Sequence, residues 1–220
     1  MHKMSNYINV DGNQVDVNFE KEEQQLVSKY LPKNGKVLEL GARYGTVSCV
    51  ISKVLYNPEN HVAVEPDIRV IESLETNKKN NGGKFHIYNG VVSSQGYEIK
   101  FIDDKFEHAE YGTYTVKSDN PSSVTNMSLE DLQTKYGIEF DCLVADCEGF
   151  VCDFISENEW FLAQLRVIIY EQDGTPWVDM IPKYKKLDEI LEVNSFRLIH
   201  TIPHPVYENN KRFHNVWIKE

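Results

Sequence analysis

The ten residues Lys36–Gly45, KVLELGARYG, decide how the rest of the chain is read. A short apolar run, Lys36–Leu40, stops abruptly at Gly41. A second glycine, Gly45, then precedes the helical stripe Val47, Val50, Ile51 and Val54, which Pro58 closes. This is a strand that turns at glycine into a helix. Such a turn lets a ligand approach the backbone and presents the free N–H groups of the helix N-terminus to it. A dinucleotide fingerprint, G-x-G-x-x-G, would require glycine at positions 43 and 46. Those positions hold Arg43 and Thr46, so the spacing argues against NAD and FAD. An acidic residue two before the first glycine, as Glu39 stands to Gly41, suits a cofactor with a cationic sulfonium and an α-amino group, S-adenosylmethionine. A plain strand-to-helix turn without a ligand fits the same residues.

Outward from this stretch the same grammar repeats. His61–Val64 ends at Glu65, Phe85–Tyr88 at Asn89-Gly90, Phe140–Ala145 at Asp146, and Arg166–Tyr170 at Glu171. Short β-branched runs without clean alternation are how strands buried on both faces of a parallel sheet read. Helical patterns lie around and between them. One carries Phe19, Leu26, Val27, Tyr30 and Leu31, and another follows a cap at Asp67. A third opens with the Ser128/Asp131 capping pair, and the last carries Ile181, Tyr184, Leu187, Ile190 and Leu191. Phe196–Ile202 and Phe213–Lys219 read as an antiparallel pair that finishes the sheet. The expected architecture is α/β: a Rossmann-like, mainly parallel sheet with helices on both faces and an antiparallel last strand. One domain over 1–220 is expected, with a helical lead-in over 1–35.

The spacing gives the carboxylates a place. Glu39 to Glu65 is 26 residues, Glu65 to Gly90 is 25, and Asp146 to Glu171 is 25. Each interval is about one βα unit, which brings these residues to the carboxyl edge of the sheet, where such folds bind ligands. Gly90 to Asp146 is 56 residues, too long for one crossover, so an insertion over 94–126 is expected to cover the substrate site. Glu65 suits the two hydroxyls of a ribose. Pro66 and Asp67 would border the adenine, with Gly90 and Val91 as the opposite wall.

Composition bounds the function. The chain has 220 residues, 41% hydrophobic and 26% charged, enough for a core. A net charge of −11 repels phosphate backbones and argues against nucleic acid as a partner. No apolar run is long enough to span a bilayer, and the start lacks the apolar segment of a secretory signal. Cys49, Cys142, Cys147 and Cys152 form no C-x-x-C pair and read as reduced, buried thiols. These features suggest a cytoplasmic protein, either whole or one domain of a longer chain.

Six segments occur in order: ELGARYG, HVAVEPD, NGVVSS, MSLEDL, VADCEGF and VIIYEQD, from about Val37 to Asp173. In order and approximate spacing they resemble the FkbM-type S-adenosylmethionine-dependent methyltransferases. The resemblance implies a class I methyltransferase fold with a seven-stranded sheet, and O-methylation, often of sugars or glycosylated products. The family usually has Asp-x-Gly-Ala-Asn where this chain has Glu39 and Arg43. It usually has Lys-Ile-Asp-Val-Glu-Gly-Ala-Glu where this chain reads Val144-Ala145-Asp146-Cys147-Glu148-Gly149-Phe150-Val151. The cofactor residues expected are Glu39, Gly41, Arg43, Tyr44, Gly45, Glu65, Pro66, Asp67, Gly90, Val91 and Asp146.

Methyl transfer to an alcohol needs alignment and removal of a proton. Asp146, Glu148 and Glu171 are the catalytic candidates. Asp146, Glu171 and Asp173 are alternatively candidates for a hard cation such as Mg²⁺ or Mn²⁺, and a purely orienting role also fits. His200, His204 and His214 are further candidates for a base. The insertion, with Tyr111, Tyr114, Asp119 and Asn120, has the polar and aromatic mixture that suits a sugar, and Trp177 is placed for stacking. The expected acceptor is a sugar hydroxyl on a glycan or glycosylated small molecule. A non-sugar alcohol is the alternative within the same reaction. A non-catalytic domain binding a nucleoside or a partner is the alternative of another class, and a nicotinamide oxidoreductase is more distant.

Overall fold

The computed structural model describes residues 6–101, 112–121, 124–172, 180–204 and 212–220. In chain order the elements are α1 (Lys21–Tyr30), β1 (Val37–Leu40), α2 (Thr46–Val54), β2 (His61–Glu65), α3 (Ile68–Asn80), β3 (His86–Asn89), β4 (Val91–Val92), β5 (Tyr97–Phe101) and β6 (Thr113–Lys117). They continue with β7 (Asn126–Met127), α4 (Leu129–Tyr136), β8 (Cys142–Ala145), α5 (Phe150–Glu157), β9 (Val167–Glu171), α6 (Ile181–Val193), β10 (Phe196–Ile202) and β11 (His214–Lys219).

Seven strands form the main sheet in the order β10-β11-β9-β8-β1-β2-β3. Neighbouring strands from β3 through β9 run parallel, and β11 is antiparallel to both β9 and β10. After β3 the chain returns to the opposite side of β1 to form β8. The strand order therefore reverses at β1/β8, the place where open α/β sheets bind ligands.

Alternation along each strand feeds two layers of core. Leu38, Leu40, Leu143, Ala145, Ile168 and Tyr170 point to the face covered by α4, α5 and α6, where Leu132, Phe154 and Leu187 meet them. Val37, Cys142, Val144, Val167 and Ile169 point the other way, onto Leu26 and Val27 of α1 and Val47 and Ile51 of α2. Leu74 of α3 extends that second layer over Ala63 and Phe85. Burying an aliphatic side chain of this size stabilises by about 1.5–3 kcal/mol, so both faces of the sheet are held.

Local signals set the helix starts. The Asp67 side chain accepts from the Arg69 N–H, and the Ser128 hydroxyl accepts from the Asp131 N–H, as capping residues do. The first helix begins later than its apolar stripe suggests. Glu20 takes a left-handed conformation, φ 57°, so Phe19 lies outside α1. Before it, within the described part of the lead-in, residues 6–20 hold only an isolated bridge between Ile8 and Gln14 rather than a helix. The insertion contains an antiparallel β5–β6 pair. Neither that pair nor α5 stands out as an element in the sequence pattern.

Candidate active site

The register puts several functional side chains at one level. Leu40 pairs with Val64 and with Ala145, and Ala145 with Tyr170. The next residues along, Gly41, Glu65, Asp146 and Glu171, therefore stand in a row at the carboxyl edge. A cleft opens there. Its floor is the strand ends with Leu40, Gly41, Val64 and Glu65. One wall is Pro66, Asp67, Val70 and Gly90–Val92, and another is Asp146, Cys147, Glu148 and Phe150. Gly112–Thr115 of the insertion complete it.

Gly41 is fixed by its neighbours. At φ +88° its missing Cβ would lie 1.7 Å from the Asp146 carbonyl oxygen, so only glycine lets β1 and β8 end side by side. Gly45 serves a different purpose. It starts α2 in a left-handed conformation, and a Cβ there would meet Leu74 at 2.6 Å.

Glu65 is buried at the edge of the cleft. One of its oxygens accepts from the Arg43 N–H at 2.8 Å and the other from the Asp67 N–H at 2.7 Å. Burial nevertheless pushes its carboxyl up to about 7. Each oxygen keeps lone-pair capacity for a second donor. Asp67 is paired with the Arg69 guanidinium at 2.7 Å.

Burial also raises Asp146, to about 6, against the opposing pull of Arg43. Glu20, from the segment preceding α1, lines the cleft as well. The Thr46 hydroxyl bonds its carboxylate, and burial together with the Asp146 charge pushes its carboxyl up. No motif or periodicity marks Glu20 in the sequence. Its left-handed backbone, shared by Arg43 and Glu148 in the same cleft, is visible only in three dimensions.

Not every expected residue reaches the cleft. Glu39 sits level with Ala63, two positions short of Glu65, and alternation turns it onto the α2 face. There it is buried, accepting from Ser48 at 2.6 Å and bonded to His61 at 2.9 Å. Tyr44 packs beside Phe19 and Arg43 and gives its carbonyl to Asn77. Neither Tyr44 nor Gly45 lines the cleft. Gly41, Arg43, Glu65, Pro66, Asp67, Gly90, Val91, Asp146 and Glu148 all do.

Glu171 stands at the right level but outside the cleft lining, with His214 Nδ1 at 3.5 Å from its carboxylate. The cation expectation finds no support, because among the described residues no group of three or more His, Cys, Asp or Glu converges as metal ligands would. Asp173, Tyr111 and Trp177 lie outside the described residues. His200 packs on Tyr30, and His204 on Phe213.

Among the described residues the lining carries five carboxylates, Glu20, Glu65, Asp67, Asp146 and Glu148, of which Asp67 is paired with Arg69, and one guanidinium, that of Arg43. That field opposes a pyrophosphate and suits a nucleoside bearing positive charge. Apolar walls, a ribose-competent carboxylate and an acidic far end fit S-adenosylmethionine. Fold and cleft together define a Rossmann-like class I methyltransferase.

The match to known proteins identifies the family. Residues 39–198 match the methyltransferase FkbM domain, and the chain belongs to that family of S-adenosylmethionine-dependent methyltransferases. No curated protein matches the chain. Among solved structures it is similar to an O-methyltransferase from Bacillus cereus in complex with SAH, with a TM-score of 0.53 and 15% identity over 94% of this chain and 83% of that one. It is also similar to a precorrin-6y C5,15-methyltransferase from Geobacter metallireducens, with a TM-score of 0.51 and 13% identity over 90% of this chain and 87% of that one. At such identities the likeness speaks for the fold. No helix among the described residues is long and apolar enough to cross a membrane.

Proposed function

We propose that this methyltransferase acts on oxygen, methylating a sugar hydroxyl of a glycan or glycosylated compound, with Glu148 as the proton acceptor. The observation that carries the reading is the shared lining of the cleft: Glu148 on one wall, and Thr113, Tyr114 and Thr115 of β6 on another. S-adenosylmethionine, when bound, supplies an electrophilic methyl carbon on a cationic sulfur. Glu65 would hold the ribose hydroxyls, Pro66, Asp67 and Val91 would flank the adenine, and Asp146 lies toward the acidic end. Glu148 precedes Gly149 and α5 with φ 51°, a conformation held only where surrounding structure enforces it. A carboxylate there can take the proton as the acceptor oxygen attacks, and general-base help of this kind contributes roughly 10²–10⁴-fold.

The β6 residues are half-buried, with two threonine hydroxyls and a tyrosine ring within three positions. Short polar groups meet sugar hydroxyls, and an aromatic face covers the C–H side of the ring. A deep slot of Leu, Ile and Phe, as a lipid would need, is not what lines this wall. Labelled cofactor offered with a panel of oligosaccharides, phenols and capped RNA tests the reading. Label is expected on oligosaccharides. Label confined to the phenols or to RNA would reject it.

A further inference from the structure

Among the described residues, β5 and β6 form a two-stranded sheet of their own beside the main one. The base of this pair is fixed. The Tyr97 N–H donates to the Asn126 side chain, whose amide donates back to the Tyr97 carbonyl, and the buried Tyr97 ring packs edge-on against Phe150. Alternation puts Tyr97, Ile99 and Phe101 on one face of β5. The first two are buried, whereas Phe101 is 56% exposed, so the apolar row leaves the core at its third step. A cation meets it there: the Arg69 guanidinium lies 4.0 Å from the centre of the Phe101 ring. The same guanidinium pairs with Asp67, with Nε at 3.0 Å from each carboxylate oxygen and Nη2 at 2.7 Å from one of them. Asp67 in turn is buried in the wall of the cleft and caps α3.

Arg69 therefore joins two parts of the cleft lining. Phe101 pairs with Thr113, Lys100 with Tyr114 and Ile99 with Thr115, and those three β6 residues line the cleft as Asp67 does. Phe101 stands ~13 Å along the strand from Tyr97, too far for the base to fix it. A two-stranded pair by itself is only marginally stable in water, so its outer end depends on such a contact. We propose that Arg69 and Phe101 form a clasp that holds the β5–β6 pair closed on the cleft, and that the pair swings away from Arg69 when the nucleoside cofactor enters or leaves. Arg69 is thus a positioning residue, setting the β6 residues against the wall that holds the cofactor. This assignment rests on the nucleoside-cofactor reading of the cleft. An exposed cation–π contact suits the task because it is weak enough to break at each turnover. The Asp67 ion pair keeps the guanidinium in place while the ring is away.

The association and dissociation rates of S-adenosylhomocysteine on the full chain, measured by surface plasmon resonance, test the clasp. Phe101→Ala removes the ring without touching Asp67. Both rates are expected to rise by about 2- to 5-fold, the worth of an exposed cation–π contact, with the dissociation constant changed by less than about twofold. Phe101→Trp offers a cation the stronger ring and should slow both rates, and it decides the matter if the alanine variant fails to fold. Unchanged rates with a lowered melting temperature would make Phe101 a purely structural residue and overturn the clasp. A change in dissociation alone would make it a ligand contact and overturn the clasp as well. Failure of the unmodified protein to bind S-adenosylhomocysteine would overturn the cofactor reading itself, and this assignment with it.

Discussion

The two halves of the carboxyl edge bury titratable groups of opposite sense. At the ends of β2 and β8, carboxylates are drawn away from water and their protonated forms are favoured, with Glu65 pushed up to about 7 and Asp146 to about 6. At the ends of β9 and β11 the buried group is His214. Burial and His204 lower it to about 4 although Glu22 pulls it upward. The first half gathers negative charge into an open cleft with little protein cation to neutralise it. The second closes Glu171 against His214 and keeps it out of the cleft lining. The same edge thus has a half that opens onto the cleft and a half that completes the sheet.

The largest effect should come from the backbone that joins β1 to β8. Gly41→Ala places a methyl group on the Asp146 carbonyl, which cannot move without breaking the sheet edge. A loss of at least about 3 kcal/mol, or failure to fold, is expected in urea unfolding. Gly82→Ala also has positive φ but nothing within 4 Å, so it is the control for conformation alone. Next comes chemistry. Glu148→Gln should lower turnover by roughly 10²–10⁴-fold at unchanged cofactor affinity, the usual worth of a general base. Glu171→Gln, in the other half, should change it far less, and equal losses would erase the distinction between the halves.

A smaller effect separates Glu65 from Glu39. Glu65→Gln should weaken S-adenosylhomocysteine by about 1.5–3 kcal/mol with the fold intact. Glu39→Gln disturbs the bonds to Ser48 and His61. It should appear as about 1–3 kcal/mol of lost stability, with the folded protein binding nearly as before. Calorimetry and melting curves on both variants decide, and the reverse pattern would exchange the two roles.

The smallest effects are the pH slopes. Glu65 titrates higher folded than unfolded, so its contribution to stability is fully present below about 4.5 and is lost as pH rises through about 7. Nucleoside affinity should rise over the same window, as the carboxylate ionises, and Glu65→Gln should flatten that rise. His214 titrates lower folded than unfolded. Its contribution is present above about 6.5 and is lost as pH falls toward 4, and His214→Gln should remove that part of the acid-side decline. Melting temperatures from pH 4 to 8 for the two variants would expose both slopes.

The strand runs and their 25- to 26-residue spacing were enough to read the parallel sheet, its antiparallel finish and the caps at Asp67 and Ser128. They were enough because burial on both faces and capping are short-range demands that write themselves into local sequence. The glycine turn and Glu65 were legible for the same reason, since each must occupy a strand end. Glu39 looked equivalent to Glu65, one βα unit away. Register decided otherwise: pairing with Ala63 leaves it two residues behind the edge, where alternation turns it under α2. Glu171 is at the right level, but β11 brings His214 beside it, and no local pattern announces a neighbour 43 residues away. Glu20 has no motif at all and enters the cleft because α1 packs against α2 and Thr46 reaches its carboxylate. Local sequence therefore determined which elements form and where chemistry can be displayed. Tertiary packing decided which carboxylates meet in the cleft, because that depends on register and long-range contacts between segments distant in the chain.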